Sequence, residues 1–212
     1  MIRIVLVRHA ETEGMIKGLR LGENEKITKK GEKEAINLKK IIDLNNFDFI
    51  YTSPSVRSIQ TMESFLGEKK FKNIIKSNLL KERKEASSFL GKKTSDLPWN
   101  ILKENRNNGD WKYEDGESFN EIFERTGKIL KLFGTYNDGI NILVFSHGSI
   151  IRSIIIYIIF NGKISPGEYF RLTEILKIKS CGISEIIYSK EKFEKIYTWK
   201  IKDFMNSNNI IY

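Results

Sequence analysis

The chain of 212 residues contains only two histidines, and each closes a short apolar run. His9 follows Ile4-Val5-Leu6-Val7-Arg8, and His147 follows Ile142-Leu143-Val144-Phe145-Ser146. Imidazole changes charge near neutral pH, so it can attack as a free base or donate as a cation. Arg8 stands directly before the first histidine, and Arg57 lies a few residues into the segment Ser53-Pro54-Ser55-Val56-Arg57. Guanidinium forks bind phosphate oxygens bidentately and keep their charge. A ring nitrogen between fixed cations suits nucleophilic phosphoryl transfer, which asks for positioning and charge stabilisation more than for elaborate covalent chemistry. Taken singly, each residue has an ordinary reading as a hydrogen-bonded histidine or a solvated arginine. Their shared position at segment ends is what singles them out. The component still missing is an acid for the leaving oxygen.

The elements that must position these groups follow from patterning. Ile2 to Val7 reads as a strand buried on both faces, as in parallel sheets, and ligands in such sheets sit beyond the carboxyl ends of the strands. Gly14 to Lys26 reads as a polar loop. Thr28 is an N-cap candidate for an amphipathic helix from about Lys29 to Asp43. Phe47 to Thr52 forms a second strand, and Ser53-Pro54 reads as N-cap serine and first-turn proline of the next helix. Arg57 falls in that helix's first turn, where free amides already favour anions. Phe71 to Ser77 reads as a short strand. The span from 67 to 116 is the least regular, and a long loop of this kind inside a domain is usually a lid or binding loop. Its Trp99, Trp111 and Tyr113 either line a substrate pocket or pack the segment onto the domain. A helix starts after Gly116-Glu117-Ser118 and runs to about Gly134. The strand Asn141 to Phe145 follows, and then a buried helix from Ile150. Glu174 to Lys179, Gly182 to Tyr188 and Phe193 to Lys200 alternate like strands around turns at Ser180-Cys181-Gly182 and Ser189-Lys190, and Asn206 to Tyr212 reads as a frayed end. The expected fold is a three-layer α/β/α sandwich with a mostly parallel central sheet. It forms a single domain over 1–212 with a lid-like insertion at about 83–116.

Composition narrows the function classes. Hydrophobic residues make up 40% and charged residues 30%, as in ordinary globular proteins. The single cysteine, Cys181, excludes an internal disulfide framework and a multi-cysteine zinc site, and it fits a reducing, cytoplasmic setting. The apolar start is too short for a secretory signal core. The longest apolar run, Ile150 to Phe160, is broken by Arg152 and falls short of the roughly 20 residues needed to span a bilayer, so no membrane partner is expected. The net charge of +9 favours anionic partners. Its lysines are scattered, and no DNA-reading helix or aromatic-interleaved basic strand is recognisable. The expected partner is a small phosphorylated substrate rather than nucleic acid. A homodimer is left open.

Arg8-His9-Ala10-Glu11-Thr12 resembles the signature of the histidine phosphatase superfamily, in the branch that holds cofactor-dependent phosphoglycerate mutases and many small phosphatases. Ile27-Thr28-Lys29-Lys30-Gly31 through Ala35 resembles its Leu-Thr-x-x-Gly segment, and Tyr51-Thr52-Ser53-Pro54-Ser55-Val56-Arg57-Ser58-Ile59-Gln60-Thr61 its second block. Gly116-Glu117-Ser118 with Arg125, and Ser146-His147-Gly148, resemble the later ones. The resemblance covers most of residues 1 to 160. It implies that His9 is the nucleophile that becomes phosphohistidine and that Arg8, Arg57 and His147 form the phosphate pocket. Glu82, in the sequence Leu80-Lys81-Glu82, is implied as the proton donor, with Glu85 as runner-up. Thr12 and Gly148 join the substrate-binding set, Gly148 because it lets backbone approach the phosphate. The sequence departs from the family where Met15 replaces an asparagine, where Glu34 replaces a glutamine, and in Glu82 to Gly91, which replaces an aromatic-rich segment. The function expected is hydrolysis of small-metabolite phosphomonoesters through phosphohistidine, without metal or other cofactor. The alternative within the family is phosphoglycerate mutase-type transfer, for which the chain is short and the segment after Glu82 matches poorly beyond Glu-Arg. A binding module for phosphoproteins or nucleic acid that has kept the fold without turnover is the third reading.

Overall fold

The computed structural model describes residues 1–193 and 196–206. β1 (Ile2–Arg8) leads into a short α1 (Glu13–Ile16). α2 (Lys29–Asn37), β2 (Phe49–Thr52), α3 (Val56–Leu66) and β3 (Ile74–Lys76) follow. After α4 (Trp99–Glu104) come α5 (Phe119–Gly134), β4 (Asn141–Ser146), α6 (Gly148–Ile159) and α7 (Pro166–Ile175), and then β5 (Ile183–Phe193) and β6 (Ile196–Asn206).

The six strands form one sheet in the order β3-β2-β4-β1-β5-β6. The first four run parallel, and β5 and β6 are antiparallel to their neighbours. Successive side chains of β1 face opposite ways. Ile2, Ile4 and Leu6 join Ile122, Ile129 and Phe133 of α5, Ile151 and Ile155 of α6 and Tyr169 of α7. Val5 and Val7 join Ala35 of α2 and Met62 and Phe65 of α3. The result is the expected α/β/α sandwich. Register then brings the two histidines together. Arg8 is paired with Ser146 and Thr52 with Phe145, so His9, His147 and Ser53 are the first residues beyond three adjacent parallel strands.

Local expectations differ from the structure in several places. Glu13–Ile16 is helical where a loop was expected, because Thr12 caps it, its hydroxyl accepting from the Met15 amide. The helix from Lys29 ends at Asn37, short of the expected Asp43, and tightens into a 3-10 turn over Leu38–Lys40. α3 starts at Val56 behind Ser55, not at Ser53-Pro54. The expected strand over Glu174 to Lys179 is wrong. α7 occupies Pro166–Ile175, started by a reciprocal capping box between Ser165 and Glu168 with proline in the first turn. The turn expected at Ser189-Lys190 lies inside β5, where an irregular register separates Ser189 from Phe193. Residues 207–212 of the expected frayed end lie outside the described residues.

Residues 83–116 carry α4 and two 3-10 turns. Their own small core is Ala86, Phe89 and Leu97, with Trp99, Leu102 and Tyr113 packed against it.

Candidate active site

A cleft of about 920 Å³ opens at the carboxyl ends of the parallel strands, and Arg8, His9, Arg57, Glu82 and Gly148 line it. His9 is buried except for its cleft edge, at 1% exposure. Its Nδ1 lies 2.8 Å from the carbonyl oxygen of Ala10. A carbonyl only accepts, so Nδ1 carries the proton and Nε2 keeps its lone pair. The ring of His147 stands behind it, with centroids 5.2 Å apart and planes tilted by 59°. His147 is fully buried, and its Nε2 lies 2.8 Å from Ser53 Oγ. The Ser53 hydroxyl donates to Ser55, so it accepts from His147 Nε2, and Nδ1 of His147 is buried without a partner. Burial lowers both histidines well below the ordinary value, helped by His147, Arg57 and Arg8 around His9 and by Arg57, Arg8 and Arg125 around His147. Both rings are neutral in the empty cleft at pH 7.

Each guanidinium is anchored through a terminal nitrogen and keeps its Nε without a partner. Arg57 donates Nη1 to the carbonyl of Gly22 at 2.6 Å, and Arg8 donates Nη1 to the carbonyl of Ile178 at 2.5 Å. The Nε of each is buried and unpartnered. Burial lowers both pKa values and the Glu82 carboxylate raises them in part. Arginine stays charged regardless. Two desolvated cations with open donors create a strong demand for an anion. Gly148 sits close against this pair, since a Cβ there would lie 3.3 Å from Arg8 Nε. Gly31 explains the earlier Thr-x-x-Gly segment in the same way. A Cβ would come within 2.4 Å of the Glu11 carbonyl, so only glycine lets α2 seat against the turn after His9.

Glu82 also lines the cleft, held at the N-terminus of α6. Its Oε1 accepts from the amides of Arg83 at 2.9 Å and Ser149 at 3.1 Å. Arg125 donates to the carbonyls of Leu79 and Lys81, and Ser146 to that of Leu80, which fixes the backbone just before it. Burial pushes the Glu82 carboxyl up, but Arg152, Arg57 and the Arg83 amide outweigh it and leave the group below its ordinary range. Glu85 shows the opposite balance. Burial dominates and raises it, although Arg20 is paired to it at 2.7 Å.

Not every expected residue meets the cleft. Thr12 is fully buried, with its hydroxyl spent on capping α1, and it does not line the cleft. His147 is likewise fully buried and does not line the cleft, its ring lying against that of His9. Three residues escaped the sequence reading. Ser53 holds His147 rather than capping α3, whose N-cap is Ser55. Ser149 gives its amide to Glu82. Arg152 lines the cleft with Nε buried and unpartnered, and the visible signal for it was an arginine inside an otherwise apolar helix. Among the described residues, no group of three or more His, Cys, Asp or Glu side chains could hold a metal ion, and no helix is long and apolar enough to cross a membrane.

Comparison with known proteins fits this arrangement. The sequence profile of the histidine phosphatase superfamily (branch 1) matches residues 4–200, and the chain belongs to that superfamily. Among curated proteins no sequence matches it. Solved structures match over nearly their whole length at low identity. A phosphoserine phosphatase mutant from Entamoeba histolytica, in complex with phosphoserine, is 21% identical with a TM-score of 0.79, all of both chains being covered. YhfR of Bacillus stearothermophilus is 18% identical with a TM-score of 0.81, again over all of both chains. A mycobacterial glucosyl-3-phosphoglycerate phosphatase is 15% identical with a TM-score of 0.75, covering 97% of this chain and 99% of that one. At these identities the likeness concerns the fold.

Proposed function

We propose that the chain is a phosphomonoesterase that hydrolyses small phosphorylated metabolites through a phosphohistidine on His9. One observation carries the reading. A neutral imidazole, its Nδ1–H fixed on Ala10, offers Nε2 to a cleft beside two buried guanidiniums with unsatisfied donors.

The proposed reaction has two displacements. The Nε2 lone pair of His9 attacks phosphorus, the bond from phosphorus to the ester oxygen breaks, and that oxygen takes a proton from Glu82 as the alcohol leaves. Water then attacks the phosphohistidine, the P–N bond breaks, and Glu82 recovers the proton. Arg8 and Arg57 neutralise the equatorial oxygens throughout. The carboxyl of Glu82 is ionised in the empty cleft because cations surround it. A phosphate that occupies those cations brings negative charge next to it and raises its pKa. A substrate entering as the monoanion, whose second pKa is about 6, delivers the same proton. The unpartnered Nδ1 of His147 is where a further proton can be added once the anion arrives. Residues 83–116 are proposed as the lid of a single domain spanning 1–212.

Incubation with 3-phosphoglycerate, scored for released phosphate against isomerised product, tests the reading. Released phosphate is expected. Isomerisation without release would assign a mutase, and salt-sensitive binding of a phosphopeptide or RNA without any turnover would assign a binding module.

A further inference from the structure

Beyond the cleft, a second cavity of about 430 Å³ runs between residues 83–116 and α7. It adjoins the first, because Arg83, Glu85, Ser149 and Arg152 line both. Its walls mix charged and polar side chains with an aromatic cluster, Phe89, Trp99, Trp111 and Tyr113 from the 83–116 segment and Phe170 from α7. Packing explains part of this. Phe89, Trp99 and Tyr113 belong to the segment's small core. It does not explain Trp111, which is half-buried, meets Tyr113 edge-on at 6.3 Å and belongs to none of the three apolar clusters. An indole presented to a cavity rather than to a core is a recognition surface.

The charges at the junction point the same way. Along the cleft Arg20, Lys81, Lys84, Lys112 and Arg125 are each paired with a carboxylate. Arg83 and Arg152 make no such pair among the described residues. Arg83 donates to the carbonyl of Glu117 and lies 5.0 Å over the Phe170 ring, and Arg152 has only the carbonyl of Leu176 and the hydroxyl of Ser149. Two planar cations therefore stand where the alcohol would pass from phosphate cup to aromatic cavity. The volume lies in the range of pockets that enclose drug-sized ligands, about 300 to 1,000 Å³, and exceeds what a glycerol-sized alcohol fills.

We propose that this cavity is the leaving-group subsite and that the chain acts on phosphomonoesters whose alcohol carries a flat aromatic ring. The proposal rests on the hydrolase reading above. The ring lies against Trp111 and the neighbouring aromatic wall, and polar oxygens near the ester face Arg83 and Arg152.

The test compares n-propyl phosphate with 3-phenylpropyl phosphate. Their alcohols leave with similar ease, so a difference in kcat/KM reports the ring alone. A series of phenylalkyl phosphates of graded chain length matches the ring to the depth of the cavity, and 3-cyclohexylpropyl phosphate separates flat from merely apolar. We expect the best phenyl ester to be favoured about tenfold or more over propyl, in line with aromatic burial and stacking. We expect Trp111→Ala to bring that ratio close to one and Trp111→Phe to keep most of it. Equal turnover of phenyl and propyl esters at every chain length, equal preference for cyclohexyl, or a ratio untouched by Trp111→Ala overturns the subsite while leaving the hydrolase intact. Failure to turn over any ester, with no phosphoenzyme formed, overturns both.

Discussion

His9 and His147 face each other with ring centroids 5.2 Å apart, yet they are locked by opposite nitrogens. His9 is fixed through Nδ1 on the Ala10 carbonyl, His147 through Nε2 on the Ser53 hydroxyl. Each ring therefore offers a different free nitrogen, and chemically the two are not interchangeable. Parallel register sets this up, since Arg8 opposite Ser146 makes the next residue of each strand a histidine.

This pairing predicts an acid-sensitive fold. Both histidines lie well below the ordinary value of 6.5 in the folded chain. Below that value the unfolded chain binds protons that the native chain does not, so stability falls as pH drops. The depressed carboxyl of Glu82 adds its loss only below its own ordinary value of 4.5. Melting followed by circular dichroism should show Tm falling between pH 7 and pH 5, with a shallower slope in His147→Gln. A flat profile over that window would show that the rings are not held neutral by burial.

Ser53 should act through His147. In Ser53→Ala the Nε2–H of His147 loses its acceptor inside the core, a change that costs about 1–3 kcal/mol of stability. We expect KM for phosphomonoesters to rise several-fold, with Ser53→Thr restoring much of the loss, and nitrogen NMR of His147 to show a mixed tautomer in the alanine variant. An unchanged tautomer would remove Ser53 from the site.

Glu82→Gln should slow alkyl phosphates by about 10²–10⁴-fold, the usual range for a lost general acid. p-Nitrophenyl phosphate, whose leaving group needs little protonation, should be slowed far less. Uniform slowing would move the acid role to Glu85, for which Glu85→Gln then becomes the selective variant.

Metal should be dispensable. Arg8 and Arg57 supply fixed positive charge at the cleft, and we expect full activity after dialysis against a strong chelator. Loss of activity that a divalent cation restores would contradict this.

The sequence carried the strand ends and their charged residues because buried parallel strands and a chain with two histidines leave little choice of pattern. Register and side-chain direction were not legible, and they decide the rest. Thr12 looked like a ligand but caps α1, and Ser53 looked like a cap but holds a histidine. Both hydroxyls follow strand ends, and only the fold shows which turns inward. The missed α7 is different. Ser165-Pro166 with Glu168 is a capping signal in plain sequence, overridden by the strand-like alternation just after it. Arg152 was visible as a charge in an apolar helix, but its cavity needed residues from 83–116 and α7 together.

The most direct test traps the enzyme during turnover of a substrate labelled in its phosphoryl group. We expect rapid quenching to recover label bound to the protein at His9, stable to alkali and lost in acid as a phosphoramidate is, and absent from His9→Ala, which keeps its fold but loses turnover. Acid-stable label elsewhere, or normal turnover by His9→Ala without any bound phosphate, would contradict a phosphohistidine mechanism.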